Sequence, residues 1–153
     1  MYAPLLILHA WLRWLVLLAA ANAVARAIGG TQSGRRWGPG DEQAGKWLVI
    51  LFDIQFLLGL ILYIALSPTT QSAFADFGAA MKDSQLRYWA VEHVIGMVVA
   101  LGLIHIGRKK SLKVPEGSRH KVALIFFALA LVIVLLSIPW PFMPTPRAWF
   151  RFS

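Results

Sequence analysis

Four apolar runs alternate with short polar stretches along the chain: roughly Leu5–Ile28, Trp47–Leu66, Tyr88–Ile106 and Val122–Ile138. Each holds about 17–24 residues, the length of a helix that crosses a hydrocarbon core of ~30 Å at 1.5 Å per residue. The pattern predicts a single all-α domain over residues 1–153, a four-helix transmembrane bundle with short loops and antiparallel neighbours. The punctuation agrees. Gly29-Gly30 is expected to stop the first run, Ser67-Pro68 the second, Gly107 before Arg108-Lys109-Lys110 the third, and Pro139-Trp140-Pro141 the fourth. Asp83 or Ser84 is placed to cap the third helix, which enters lipid near Tyr88 and Trp89.

Composition strengthens this picture. Of 153 residues, 58% are hydrophobic and 14% charged, an apolar excess beyond that of an ordinary soluble domain. The net charge of +8 would suggest nucleic acid in a soluble protein. Here most of the basic residues sit in two segments between apolar runs: Arg26, Arg35, Arg36 and Lys46 around the first loop, and Arg108, Lys109, Lys110, Lys113, Arg119 and Lys121 around the last. Lys82, Arg87, Arg147 and Arg151 lie on the other side. That bias predicts cytoplasmic loops, both termini on the outer (periplasmic) side, lipid as the main partner and no nucleic acid. The chain has no cysteine, which excludes disulfides, thiolate metal sites and iron–sulfur clusters held by its own thiols. Its start, MYAPLLILHAWLRW, has no basic leader and carries Arg13 within the apolar run, so the first helix is expected to stay in the mature protein. Tyr2, Trp11, Trp14, Tyr63, Tyr88, Trp89 and Trp140 mark the outer boundary, and most are read as interfacial anchors. The glycine-dense GGTQSGRRWGPG (Gly29–Gly40) is read as a flexible cytoplasmic turn whose arginines follow from topology, with docking on a partner or an anionic lipid as the alternative.

Polar groups inside the runs carry the candidate chemistry, because lipid makes them costly and they need partners. The outer layer holds His9 and Arg13, four apart on one face of the first helix, and Glu92 and His93 on the third. Neighbouring Glu92 and His93 diverge by about 100°. The predicted solution is a bidentate Arg13–Glu92 pair, with His93 turned to something else. The inner layer holds Asn22, Asp53, Gln55 and His105, where Asp53 is expected to find His105 or Asn22 as donor. His120, between Arg119 and Lys121, is read as a solvated interface residue without a role.

A b-type haem between helices needs two imidazoles at one depth on different helices and small residues that make room. His9 and His93 meet the depth condition. Gly96 and Ala100 follow His93 on one face, where a second helix or a flat ligand approaches closely, and the alanines of AAANAVA slim the first helix. The competing readings are structural hydrogen bonding of both histidines and a metal site of His9, Glu92 and His93. Signatures such as H-E-x-x-H, G-x-S-x-G and G-x-G-x-x-G are absent from the sequence.

The stretches LHAWLRWLVLL (Leu8–Leu18), IQFLLGLILY (Ile54–Tyr63), MKDSQLRYWAVEHVIGM (Met81–Met97) and IPWPF (Ile138–Phe142) resemble a family of small bacterial four-helix membrane proteins often labelled cytochrome-b-like. The matching positions are His9, Arg13, Trp14, Gln55, Gly59, Tyr63, Arg87, Glu92, His93, Pro139, Trp140 and Pro141. The resemblance implies a multi-pass protein of the bacterial inner membrane that binds haem b. It also implies a histidine near Asp53 in relatives, which this chain lacks. The leading expectation is haem-based electron transfer with quinone: His9 and His93 ligate the haem iron, and Arg13 and Glu92 support them or contact propionates or quinone. The alternatives are a non-catalytic accessory subunit of a larger respiratory or photosynthetic membrane complex and, after that, a proton- or metal-conducting role. For topology, a reporter fused after Ser153 is expected to be active outside the cytoplasm, and one that works only in the cytoplasm overturns the orientation.

Overall fold

In a computed structural model, which describes residues 1–152, all regular structure is helical. The elements are α1 (Tyr2–Ser33), α2 (Pro39–Leu66), α3 (Pro68–Ala75), α4 (Phe77–Ala80), α5 (Ser84–Lys113) and α6 (Glu116–Ser137). Helices α1, α2, α5 and α6 are long and apolar enough to cross a membrane. They form an antiparallel bundle in which each packs on two neighbours, in the ring order α1–α2–α5–α6. The seam between α2 and α5 is the thinnest of the four. Both ends of the described chain lie at one end of the bundle, because the segment after α6 turns back onto α1. The α1–α2 and α5–α6 links share the opposite, loop end, where Arg36 lies 4.0 Å from Glu116.

The glycines do not stop their helices as the sequence suggested. α1 runs through Gly29-Gly30 and ends at Gly34, whose φ of 65° supplies the left-handed cap. α5 runs through Gly107 to Lys113 and ends before Pro115, which disfavours helix at Val114. The energetics explain both. A glycine costs a helix about 1 kcal/mol, whereas an unpaired backbone group in lipid costs several. The stretch between α2 and α5, expected as plain loop, holds α3 and α4, capped by Ser67 and Asp76. Asp83 caps α5 as predicted, accepting from Gln85 N and Leu86 N at 2.8 Å each.

Inside the bundle small side chains let backbones approach, the usual source of helix association where lipid removes the hydrophobic drive. Ala20, Ala23 and Ala27 of α1 are buried with Ala44 of α2, Ala100 of α5 and Ala123 and Ala130 of α6. Leu48, Phe52, Ile104 and Phe127 fill the space between them. Leu18, Ile64 and Leu136 face outward, as a lipid-facing surface requires. The slim stretches of α1 and α5 therefore seat other helices. Gly96 shows this directly, since a Cβ there would meet Ser137 of α6.

The GGTQSGRRWGPG segment is built rather than loose. Its organiser is Asp41, whose side chain is only 2% exposed. Arg35 donates to it through Nη1 and Nη2 at 2.6 and 2.7 Å, Arg26 through Nε at 3.0 Å, and Gly38 through its backbone N at 2.9 Å. Four donors on one carboxylate fix the chain reversal between α1 and α2. His120, expected in solvent, is 4% exposed. Its ring lies under Trp37, centroids 5.0 Å apart, and against Gly30, where any Cβ would strike it. Its Nε2 lies 4.0 Å from Asp41 Oδ2. Burial follows from the missing side chain at Gly30, a relation that neighbouring Arg119 and Lys121 conceal.

Replacing Gly30 by alanine is expected to destabilise the protein in detergent by roughly 1–3 kcal/mol, the usual scale of overpacking. The loss should shrink in a His120→Ala background. Equal shifts in thermal unfolding in both backgrounds would refute this contact.

Candidate functional site

At the terminal end, residues of α1, α2, α5 and the segment after α6 enclose one cavity with about 180 Å³ of free space. Its polar lining includes His9 and Arg13 of α1, Gln55 of α2, His93 of α5, and Arg147 and Arg151 of the tail. Among the described residues no carboxylate lines it. The cavity sits where two long helices loosen into π turns, Leu62–Leu66 in α2 and Tyr88–Glu92 in α5, a deviation that often accompanies functional sites. Side chains take up carbonyls there. Tyr63 OH donates to Ala90 O at 2.6 Å, tying the two turns together, and Thr70 Oγ1 donates to Tyr63 O at 2.7 Å.

His93 is oriented by the end of α6. The helical donor to the Ser137 carbonyl would be residue 141, which is proline and has no N–H. That carbonyl instead accepts from Tyr88 OH and from His93 Nδ1, each at 2.7 Å. A carbonyl only accepts, so neutral His93 carries its proton on Nδ1 and keeps a lone pair on Nε2. A backbone carbonyl behind one ring nitrogen is the arrangement that prepares the other nitrogen of a metal-binding histidine.

His9 enters the cavity from α1 and is held differently. Its ring nests against Gly59, where a Cβ would stand 2.9 Å from Cε1. The Gln55 amide donates to His9 O at 3.0 Å and approaches His9 Nε2 at 3.3 Å. An amide nitrogen only donates, so His9 Nε2 accepts and Nδ1 carries the proton. Gln55 thus belongs beside His9, not in the inner layer with Asp53 where sequence position placed it.

The tail completes the wall. Trp11 Nε1 donates to Arg151 O at 2.8 Å, and Arg13 Nη2 and Trp14 Nε1 donate to Trp149 O at 2.8 and 3.2 Å. Trp14 stacks on Trp149 and Phe150, with ring centroids 6.1 and 5.4 Å away, and Arg147 lies 4.8 Å from the Trp89 ring centre. These tryptophans, read from sequence as interfacial anchors, hold the tail. Arg147 and Arg151, counted from sequence only toward topology, belong to the site. Their spacing of four, flanking Trp149 and Phe150, was the available signal. Among the described residues, His9 Nδ1, Arg13 Nε, Arg151 Nε and Gln55 Oε1 are buried with no hydrogen-bond partner.

Two expectations fail here. Arg13 does not pair with Glu92: Arg13 holds the tail backbone, and Glu92 accepts from Arg87 Nε at 2.7 Å. Glu92 is half exposed and does not line the cavity. The reason is local. Five residues apart in a regular α-helix diverge by about 140°, but the wider π turn Tyr88–Glu92 between these two realigns them. The three-residue metal set of His9, Glu92 and His93 is not assembled either, and no group of three metal-ligating side chains occurs among the described residues. The inner layer fares better. Asp53 Oδ1 lies 2.8 Å from His105 Nε2, the first partner expected for it. The pair is open to the bundle exterior, with side chains 39% and 49% exposed, and Asn22 is exposed on α1 without joining it.

Compared with family models, curated proteins and solved structures, the chain matches none.

Because Arg13 and Glu92 serve separate partners, Arg13→Leu and Glu92→Leu should lower stability additively, within about 0.5 kcal/mol. Arg87→Leu and Glu92→Leu should be coupled. Thermal unfolding of the two double-mutant cycles in detergent decides, and strong Arg13–Glu92 coupling would overturn the assignment.

Proposed function

We propose that this protein is a b-type cytochrome-like electron carrier of a bacterial inner membrane, with both termini outside and haem held in the terminal-end cavity. The observation that carries the reading is that two imidazoles on different helices, His9 and His93, share one cavity with three arginines and, among the described residues, no carboxylate. Haem needs two nitrogen ligands and a counter-charge for two propionates. His93 meets the first need as it stands, with Nδ1 on Ser137 O and Nε2 free. His9, whose Nε2 has only the 3.3 Å contact with the Gln55 amide, would be the second ligand. Arg13, Arg147 and Arg151 supply the positive charge, and the buried, unpartnered Nε atoms of Arg13 and Arg151 are the donors that carboxylates would take. Bound there, haem would supply one-electron transfer. The chain's own residues orient the imidazoles, and the aromatic tail excludes water.

The size of the cavity supports a second reading. Cofactor sites typically enclose ~300–1,000 Å³, and the 180 Å³ here exceeds the ~150 Å³ that houses a benzene ring. A macrocycle would therefore require the thin α2–α5 seam to open, whereas 180 Å³ is of the order of a single quinone ring, which Arg13, Arg147 and Arg151 would hold through hydrogen bonds.

An absorption spectrum of the purified protein tests both. Low-spin haem bands that His9→Ala and His93→Ala each abolish, and that His120→Ala leaves intact, are expected. Extractable quinone without a Soret band favours the second reading. Neither haem nor quinone, in protein purified in mild detergent and after incubation with each, refutes both.

A further inference from the structure

A second depression lies at the other end of the bundle, on the thin seam between α2 and α5. It is an open groove of about 430 Å³ with Val49, Ile106 and Leu112 as its apolar part. Its polar rim is basic throughout: His105, Arg108, Lys109 and Lys113. Two of these have acid partners, His105 with Asp53 and Arg108 with Glu42 of α2. Lys109 and Lys113 have none among the described residues, and both are exposed. The neighbouring Lys110 is otherwise engaged, its Nζ 5.4 Å from the centre of the Phe126 ring.

The stereochemistry of this rim defines what it takes. His105, Lys109 and Lys113 follow one another at spacings of four, so they lie in a row down one face of α5. Like charges at that spacing repel, and an anion between Lys109 and Lys113 relieves the repulsion. The row passes the edge of the apolar run at Ile106, so its charged end sits at headgroup level and its apolar end within hydrocarbon. A free anion would use only the lysines. An amphiphile with an anionic head and an acyl chain matches both parts, because the chain lies along Val49, Ile106 and Leu112 in the gap that α2 and α5 leave open.

We infer that this groove binds an anionic phospholipid of the surrounding leaflet, with the phosphate between Lys109 and Lys113 and an acyl chain in the α2–α5 seam. Basic pockets between membrane helices are suited to such headgroups. The inference is independent of what the terminal-end cavity holds.

Native mass spectrometry of the full chain, released from nanodiscs of phosphatidylglycerol or of phosphatidylcholine, tests it. The wild type should retain phosphatidylglycerol roughly tenfold or more over phosphatidylcholine. Lys109→Gln with Lys113→Gln should lose that preference. Lys109→Arg with Lys113→Arg should keep it, which separates loss of charge from loss of fold. Lys82→Gln, at the opposite end, should behave as wild type. Equal retention of the two lipids by the wild type overturns the inference, as does an unchanged preference in the double glutamine variant. Displacement of the lipid by millimolar inorganic phosphate would make it a simple anion site, and a lipid-free dimer would show a second copy seated there. Either outcome also overturns the assignment.

Discussion

The terminal end of this bundle depends on one carbonyl oxygen. Ser137 ends α6, and proline at position 141 denies its carbonyl the next helical donor. Such a group cannot stay unpaired away from water without losing a substantial part of a hydrogen bond's free energy. Tyr88 and His93 of α5 meet the need together. That fixes α5 against α6 at this depth, chooses the tautomer of His93 and aims its free nitrogen. Gly96, one turn further along α5, removes the side chain that would hold Ser137 away. The prolines of the IPWPF stretch thus act on the site through hydrogen bonding, as well as by ending a helix.

Arginine placement follows a related rule. In low dielectric a guanidinium needs acceptors, though not necessarily a carboxylate. At the loop end Asp41 meets Arg26 and Arg35, and the result is a closed, compensated turn. At the terminal end Arg13 donates to a main-chain oxygen, at Trp149, and among the described residues no carboxylate pairs with it. The same residue type builds a structural clamp at one end and lines a cavity at the other. The supply of carboxylate is the difference.

The architecture was legible in the sequence because the four runs match the membrane in length and composition, and no other arrangement satisfies their backbones. The Asp53–His105 pair was legible for a similar reason: each group needed a partner, and few were at hand. What stayed hidden depended on close approach and local backbone geometry. The burial of His120 needs Gly30, ninety positions away in sequence. The Arg87–Glu92 pair needs a π turn, for which hydrophobic pattern holds no signal. The true partner of Arg13 is a backbone carbonyl in the tail, and backbone acceptors are invisible to any reading that matches side chains by charge. The pairing of His9 with Gln55 was missed because Gln55 was assigned a depth from its run boundaries alone.

The tail that walls the terminal-end cavity also sets an order of events. It is the part of the site translated last, and α1 has been made for well over a hundred residues before Trp149 and Arg151 exist to receive its hydrogen bonds. The wall therefore closes through hydrogen bonds that span 135 to 140 positions of the chain, a loop closure that helix formation by itself does not supply.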